Sequence, residues 1–124
     1  EAAMAASHFG LGNLVAVVDY NHLQISGAVE AVMSPGDLAA RFSAFGWQVG
    51  EVSGNDVAEL VAAFDGLRYD DSTPKALLAH TVKGCGVSFM AGDPAWHHKL
   101  PTAEEAERAF RELDRAEAAL EVAP

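Results

Sequence analysis

Cysteine is almost missing from the 124-residue chain. The single Cys85 excludes an internal disulfide, so nothing points to an oxidising compartment. Basic residues are scarce too: 8 Lys plus Arg stand against 18 Asp plus Glu, a formal net charge of −10. Neutralising phosphates takes clustered Lys and Arg, so this balance argues against a duplex-binding surface and against a polybasic membrane patch. No apolar run approaches the ~20 residues of a membrane span, and the run Leu14 to Val18 is stopped at once by Asp19. No internal repeat and no low-complexity tract is present. What remains is a chain that is 50% hydrophobic, enough for a core and too much for disorder throughout. Its length is that of one domain, taken here as residues 1–124, with the cytoplasm as the expected location.

The chain opens on Glu1-Ala-Ala-Met-Ala-Ala-Ser, which reads as the middle of a helix and suggests a piece of a longer polypeptide. Asn13 to Tyr20 is a continuous apolar run, the pattern of a strand covered on both faces of a parallel sheet. Asn21 to Ser34 reads as a loop. Ser34 then caps a helix with Pro35 in its first turn, and Leu38, Arg41, Phe42 and Phe45 follow at helical spacing. Trp47 to Val52 alternates as a strand does. Asn55 or Ser53 is placed to cap a helix with Val57, Leu60, Val61 and Phe64 on one face. Asp70 to Pro74 is turn chemistry, and Ala76 to Val82 a third buried strand. Lys83 to Pro101 has no period. Thr102 caps a last helix, with Glu105 completing a capping box. Strands alternating with amphipathic helices give an α/β fold with a mostly parallel sheet.

Ligands bind such sheets beyond the carboxyl ends of the strands, which singles out Asp19 to Gly27 and Lys83 to Pro101. Asn21 offers a neutral oxygen of the kind Mg²⁺ or Ca²⁺ takes, although one amide is a poor ligand set and Asx residues also cap turns. His97 and His98 follow Trp96 in the long loop. A loop His can bind phosphate oxygens, donate a proton or hold a metal, or simply pack on the Trp. Adjacent His side chains rarely point the same way, so at most one is expected to face a site. Gly10-Leu-Gly12 has Val15 at the third glycine position and precedes a strand instead of following one, which argues against a dinucleotide fingerprint. Cys85 with the two His is a weak zinc set, and the Cys reads as a small apolar residue beside glycines. The last helix carries seven acids against three Arg from Thr102 onward, the composition of a solvated face.

In combination these segments are more telling. Glu1 to Gly27, with Asn13-Leu-Val-Ala-Val-Val-Asp-Tyr-Asn21 at its centre, resembles the second half of the thiamine diphosphate motif of transketolases. Arg41 to Asp56 is similar to the helix-strand unit that follows it. Pro74 to Met90 and then Pro94-Ala-Trp-His97 resemble the later strand and loop. The wording resembles the N-terminal subunit of bacterial split transketolases, in order and over nearly the whole chain. The resemblance implies a thiamine diphosphate-binding fold, here partial, with helices on both faces of the sheet. It implies a transferase of the pentose phosphate type that moves a two-carbon ketol unit from a ketose to an aldose among sugar phosphates. By the same resemblance Asn21 and the main-chain carbonyl of Leu23 would coordinate Mg²⁺ (or Ca²⁺), and Ile25 would line the cofactor ring. His97 would be the catalytic loop His touching diphosphate and substrate, and Glu1 an acid in the carboxylate network between subunits. The implied partner is the C-terminal, pyrimidine-binding transketolase subunit, in a dimer or heterotetramer, and the chain alone would be half of a site.

The sequence departs from the family at four points. The motif's opening Gly-Asp-Gly would lie upstream of Glu1 and is not among these residues, His80 stands where a Lys is frequent, His98 where a Gly is, and Ser26 where an Asp is. His80, on a strand read as buried, is expected to be a satisfied core His, and His98 bears on sugar preference. Two other readings compete. One is a truncated interaction domain without cofactor. The other is a sister thiamine diphosphate enzyme, such as a deoxyxylulose phosphate synthase or a specialised two-carbon transferase.

Overall fold

The computed structural model describes residues 1–69 and 71–121, the last by its backbone alone. Asp70 of the expected turn therefore lies outside the described residues. In chain order the elements are α1 (Ala2–His8), β1 (Val15–Tyr20), β2 (Leu23–Gln24), β3 (Gly27–Ala28), α2 (Val29–Met33), α3 (Leu38–Ala44), β4 (Gln48–Ser53), α4 (Val57–Asp65), β5 (Lys75–His80), a 3₁₀ helix (Pro94–His97) and α5 (Ala103–Glu121). They form two compact units. The first holds residues 1–21 and 33–81, the second residues 22–32 and the described residues from 82 onward.

The first unit is built on a three-stranded, all-parallel sheet in the order β1-β5-β4. Parallel strands covered on both faces must be apolar throughout. β5 meets that demand over Ala76, Leu77, Leu78 and Ala79, all buried, but not at its first residue, Lys75. The sequence read β1, as well as β5, as a covered strand. β1 lies at the edge of the sheet, and Val17 is 51% exposed. A continuous apolar run does not distinguish a central strand from an edge strand whose faces are partly covered.

Ala6, Trp47 and Ala76 form the core of this unit, with Ala3, Ala16, Phe42 and Val49 packed around them. The Ala-rich α1 has small side chains that let the Trp47 indole lie close, and its Nε1–H donates to the carbonyl of Ala3 at 2.8 Å. Phe42 meets the same indole edge to face at 5.3 Å. α3 is capped by Asp37, which accepts from the amide of Ala40, and not by Ser34. Gly36, at φ +63°, breaks the helix there, while the Ser34 hydroxyl accepts from the Gly36 amide in a turn of its own. α4 is likewise capped by Asp56 and not by Asn55 or Ser53. Glu59 accepts from the Ser53 amide, so Ser53 donates through its backbone where its hydroxyl was expected to accept as a cap. The apolar face of α4 is half or more exposed at Val57 and Val61.

Lys75, the first residue of the central strand, is fully buried. Its ammonium donates to the carbonyl of Gly12 at 2.9 Å and to Asp71 Oδ1 at 2.5 Å. The Gly10–Gly12 loop can reach it only because Gly12 has no side chain: a Cβ there would lie 1.6 Å from the carbonyl oxygen of Asp71. Asp71 also accepts from the Thr73 amide, and Lys75 holds its carboxyl below the usual range. The sequence did not single out this lysine.

In the second unit the segment read as a plain loop contains the β2–β3 hairpin, with Leu23 opposite Ala28 and Gln24 opposite Gly27, and runs on into α2. Two-residue strands are too short to leave an alternating pattern. The capping box that opens α5 is present: the Thr102 hydroxyl accepts from the Glu105 amide and Glu105 accepts from the Thr102 amide. No helix among the described residues is long and apolar enough to cross a membrane.

Replacing Lys75 by Met would keep most of the buried stem and strip both hydrogen bonds. The Gly12 carbonyl would lose its partner, and the expected loss of stability is about 2 to 4 kcal/mol. Urea unfolding of the two proteins measures it as a lower midpoint at unchanged slope.

Candidate functional site

The carboxyl edge of the parallel sheet carries a row of polar side chains. Tyr20, His80 and Ser53 are in register at the ends of β1, β5 and β4. The Thr81 hydroxyl donates to Asp19, and His80 Nε2 donates to Glu51 Oε2 at 2.6 Å while its ring lies 5.4 Å from that of Tyr20. His80 was expected in the core. It is 41% exposed, because β5 emerges from cover at that residue. Asn21, half-buried, follows β1 directly and closes the first unit.

The second unit begins with His22, which adopts φ 60°, a left-handed conformation uncommon outside glycine. Its carbonyl accepts from the Val29 amide at 2.9 Å and its Nδ1 donates to Glu30 at 3.1 Å, so both ends of the residue are tied. That hydrogen bond also lowers the Glu30 pKa. The strained turn aims the chain into β2, whose Leu23 is half-buried; Ile25, at the hairpin's tip, is 62% exposed. β2 lies against the 3₁₀ helix, which Asp93 caps through the Ala95 amide and which ends on His97. His97 and His98 are both exposed, with their rings 6.2 Å apart and 75° between their planes. The two imidazoles therefore present different edges, as expected of neighbours.

This loop is fastened to α5. The Trp96 indole donates to the Phe89 carbonyl at 3.0 Å, and the two rings meet edge to face. Lys99 lies 4.0 Å over the Trp96 ring and donates to Glu105 at 2.8 Å. Glu112 accepts from the Ser88 amide at 2.6 Å, the Ser88 hydroxyl at 2.8 Å and Arg108 Nε at 3.0 Å. Arg108 also donates to the Ser88 hydroxyl and lies 4.9 Å from the centre of the Phe89 ring. The acidic helix read as a solvated face thus holds the His97 loop through three of its side chains. The Arg108 and Glu112 spacing of i, i+4 was the available signal, although it usually marks only a surface pair.

Leu23, Ile25 and His97 fall in the second unit and Asn21 in the first. Cys85 is exposed and free, not packed as a small apolar residue, and no cluster of three His, Cys, Asp or Glu able to hold a metal occurs among the described residues. The oxygen donors at Asn21 and Leu23 are neutral and hard, which fits Mg²⁺ or Ca²⁺ and not zinc. Two such oxygens cannot fill a shell of six or more, so any cation they held would need further ligands. Glu1 is exposed, and its side chain makes no capping bond to α1.

Residues 1–116 match the family described as transketolase, thiamine diphosphate binding domain. The chain belongs to the transketolase family. Among its relatives, an apulose-4-phosphate transketolase subunit of Phocaeicola vulgatus is 47% identical over 113 residues, 91% of this chain and 40% of that protein. The 6-deoxy-6-sulfo-D-fructose transketolase subunit SqwG of a Clostridium species is 35% identical over 115 residues, 93% of this chain and 42% of that one. The chain thus spans about two fifths of the length of these curated relatives. Transketolase from Campylobacter jejuni superposes with a TM-score of 0.63 at 22% identity, covering 94% of this chain and 23% of that structure, a likeness of fold. The parallel α/β sheet is accordingly that of transketolases, and this chain is a thiamine diphosphate-binding domain of the family.

The contact between Glu112 and the loop has a defined pH window. The Ser88 amide, then the Ser88 hydroxyl and Arg108, lower the Glu112 pKa from its ordinary 4.5. A depressed carboxylate contributes fully above its unfolded value and is lost as the pH falls through the folded one. Protection of the Ser88 amide against hydrogen exchange should therefore persist from about pH 7 down to the ordinary carboxylate range and fail only below it. Loss near pH 6 would contradict this assignment.

Proposed function

We propose that this domain supplies the diphosphate- and metal-holding side of a transketolase site, completed by a second chain or section that holds the pyrimidine. The observation that carries the reading is the contact of β2 with the 3₁₀ helix, which brings the Leu23 strand beside the helix that ends on His97. Membership of the family supports it, and so do relatives whose names make them subunits of transketolases. When bound, thiamine diphosphate supplies the chemistry for moving a two-carbon ketol unit from a ketose to an aldose.

The chain's own residues bind and orient. The Asn21 amide oxygen and the Leu23 carbonyl hold Mg²⁺ (or Ca²⁺), and Ile25 offers apolar surface to the cofactor ring. His97 donates a hydrogen bond to diphosphate and sugar oxygens, as a neutral tautomer or as a cation. The substrates are sugar phosphates of the pentose type or, as the relatives' names suggest, ketoses related to apulose 4-phosphate or to a sulfonated fructose. His98, beside His97, adds a donor suited to an anionic sugar terminus. The enzyme works in the cytoplasm, as a dimer or heterotetramer with the pyrimidine-holding partner.

Two substitutions test this in the reconstituted enzyme. Asn21→Ala should weaken Mg²⁺-dependent binding of thiamine diphosphate by roughly ten- to a hundred-fold; unchanged affinity by calorimetry would remove Asn21 from the metal. His97→Ala should lower kcat/KM by about 10²-fold or more, mostly in kcat. His98→Ala should cost little or change which sugar is preferred, and equal effects at the two positions would reject His97.

A further inference from the structure

The clamp between α5 and the His97 loop has no role in the function proposed so far. Its geometry is unusual for a surface. One carboxylate, Glu112, takes three hydrogen bonds, two of them from the same residue, Ser88. The side chain that shares Glu112 with Ser88 is Arg108, which also covers Phe89. The Phe89 carbonyl in turn holds the Trp96 indole, and Trp96 is bonded directly to His97. On the far side of His97 and His98, Glu105 fixes Lys99, which lies on the other part of the same indole. The two imidazoles are thus bracketed by contacts that all return to one 19-residue helix. Every member belongs to the second unit.

We infer that Glu112 is a positioning residue for His97, acting through Ser88, Phe89 and Trp96 rather than by touching substrate or cofactor. The inference rests on the reading of His97 given above. A single exposed ion pair would be worth little, but here the carboxylate fixes a main-chain amide and, with Arg108, the face of an aromatic ring. A shift of about 1 Å in the loop is enough to cost on the order of 10²-fold in rate when the group it carries must meet a reacting atom. Glu112→Gln is nearly isosteric, yet its NH2 donates and cannot accept, so while its one oxygen serves the Ser88 hydroxyl and Arg108, as Oε1 does now, the Ser88 amide that bonds Oε2 loses its acceptor.

The test uses the full chain with its partner subunit, thiamine diphosphate, Mg²⁺ and a ketose phosphate, and 5-fluorotryptophan in both Trp positions. With Glu112→Gln, the ¹⁹F line of Trp96 should move or broaden while that of Trp47 stays in place. The kcat should fall by roughly ten- to a hundred-fold with KM within about twofold, the scale of losing a residue that orients a functional group. Combined with His97→Ala, it should add almost nothing, because both changes remove the same group from the reaction. Ser88→Ala, which removes the hydroxyl and keeps the amide bond, should give a smaller effect of the same kind. It serves as the readout if the Glu112 variant does not fold. An unmoved Trp96 line, or effects of Glu112→Gln and His97→Ala that multiply, would overturn the inference. If His97→Ala alone leaves kcat unchanged, the fault lies with the functional reading, and the Trp96 line still decides whether Glu112 positions the loop.

Discussion

The parallel sheet depends on one buried ammonium. Lys75 is the first residue of the central strand, and the rows of both neighbours start on it: Val15 of β1 on one side, Gln48 of β4 on the other. A charge taken out of water needs partners for its donors. Gly12 and Asp71 supply those bonds, and each lies on a loop that leads into a strand. The same contact that satisfies the lysine therefore fixes where β1 and β5 begin, and the register then runs unbroken to Tyr20 and His80 at the other end. The polar row at the carboxyl edge lies where it does because the amino edge is pinned.

The second unit is organised by different means. It has no extended sheet, and its described core is thin: Val87 is the buried hydrophobic residue there. Directional bonds take over that task. Aromatic contact, cation over ring, a capping box and a thrice-bonded carboxylate act along one helix face. Each is weak when exposed, and the order they impose comes from their convergence on a short stretch of chain.

Much of this was readable in advance where side-chain period was long enough to register. β5, α4, the capping box of α5 and the alternating β4 follow from pattern and cap chemistry. The caps at Asp37 and Asp56 were misplaced because several Ser, Asn and Asp stand close together, and only backbone geometry such as the Gly36 turn selects among them. The hairpin at Leu23 and Ala28 is below the length at which alternation exists. Of the candidate site, Asn21 was legible as a polar residue ending an apolar strand, and His97 as a His in an irregular loop. The bearing of Glu112 on that loop was not, since residues 24 apart share no local signal. Lys75 was hidden for the opposite reason: a lysine at a strand's start is usually solvated, and its burial depends on a glycine 63 positions away.

The bracketing of His97 and His98 separates the side chains that anchor the loop from those it exposes. Ser88, Trp96 and Lys99 carry the bonds to the helix, whereas the two imidazoles face outward and contribute none of the described fastening. Substitution at the outward positions can therefore change the surface the loop presents without disturbing how it is held. On such a scaffold a few exposed side chains can vary while the frame stays fixed, whereas a change at one anchor disturbs the whole loop.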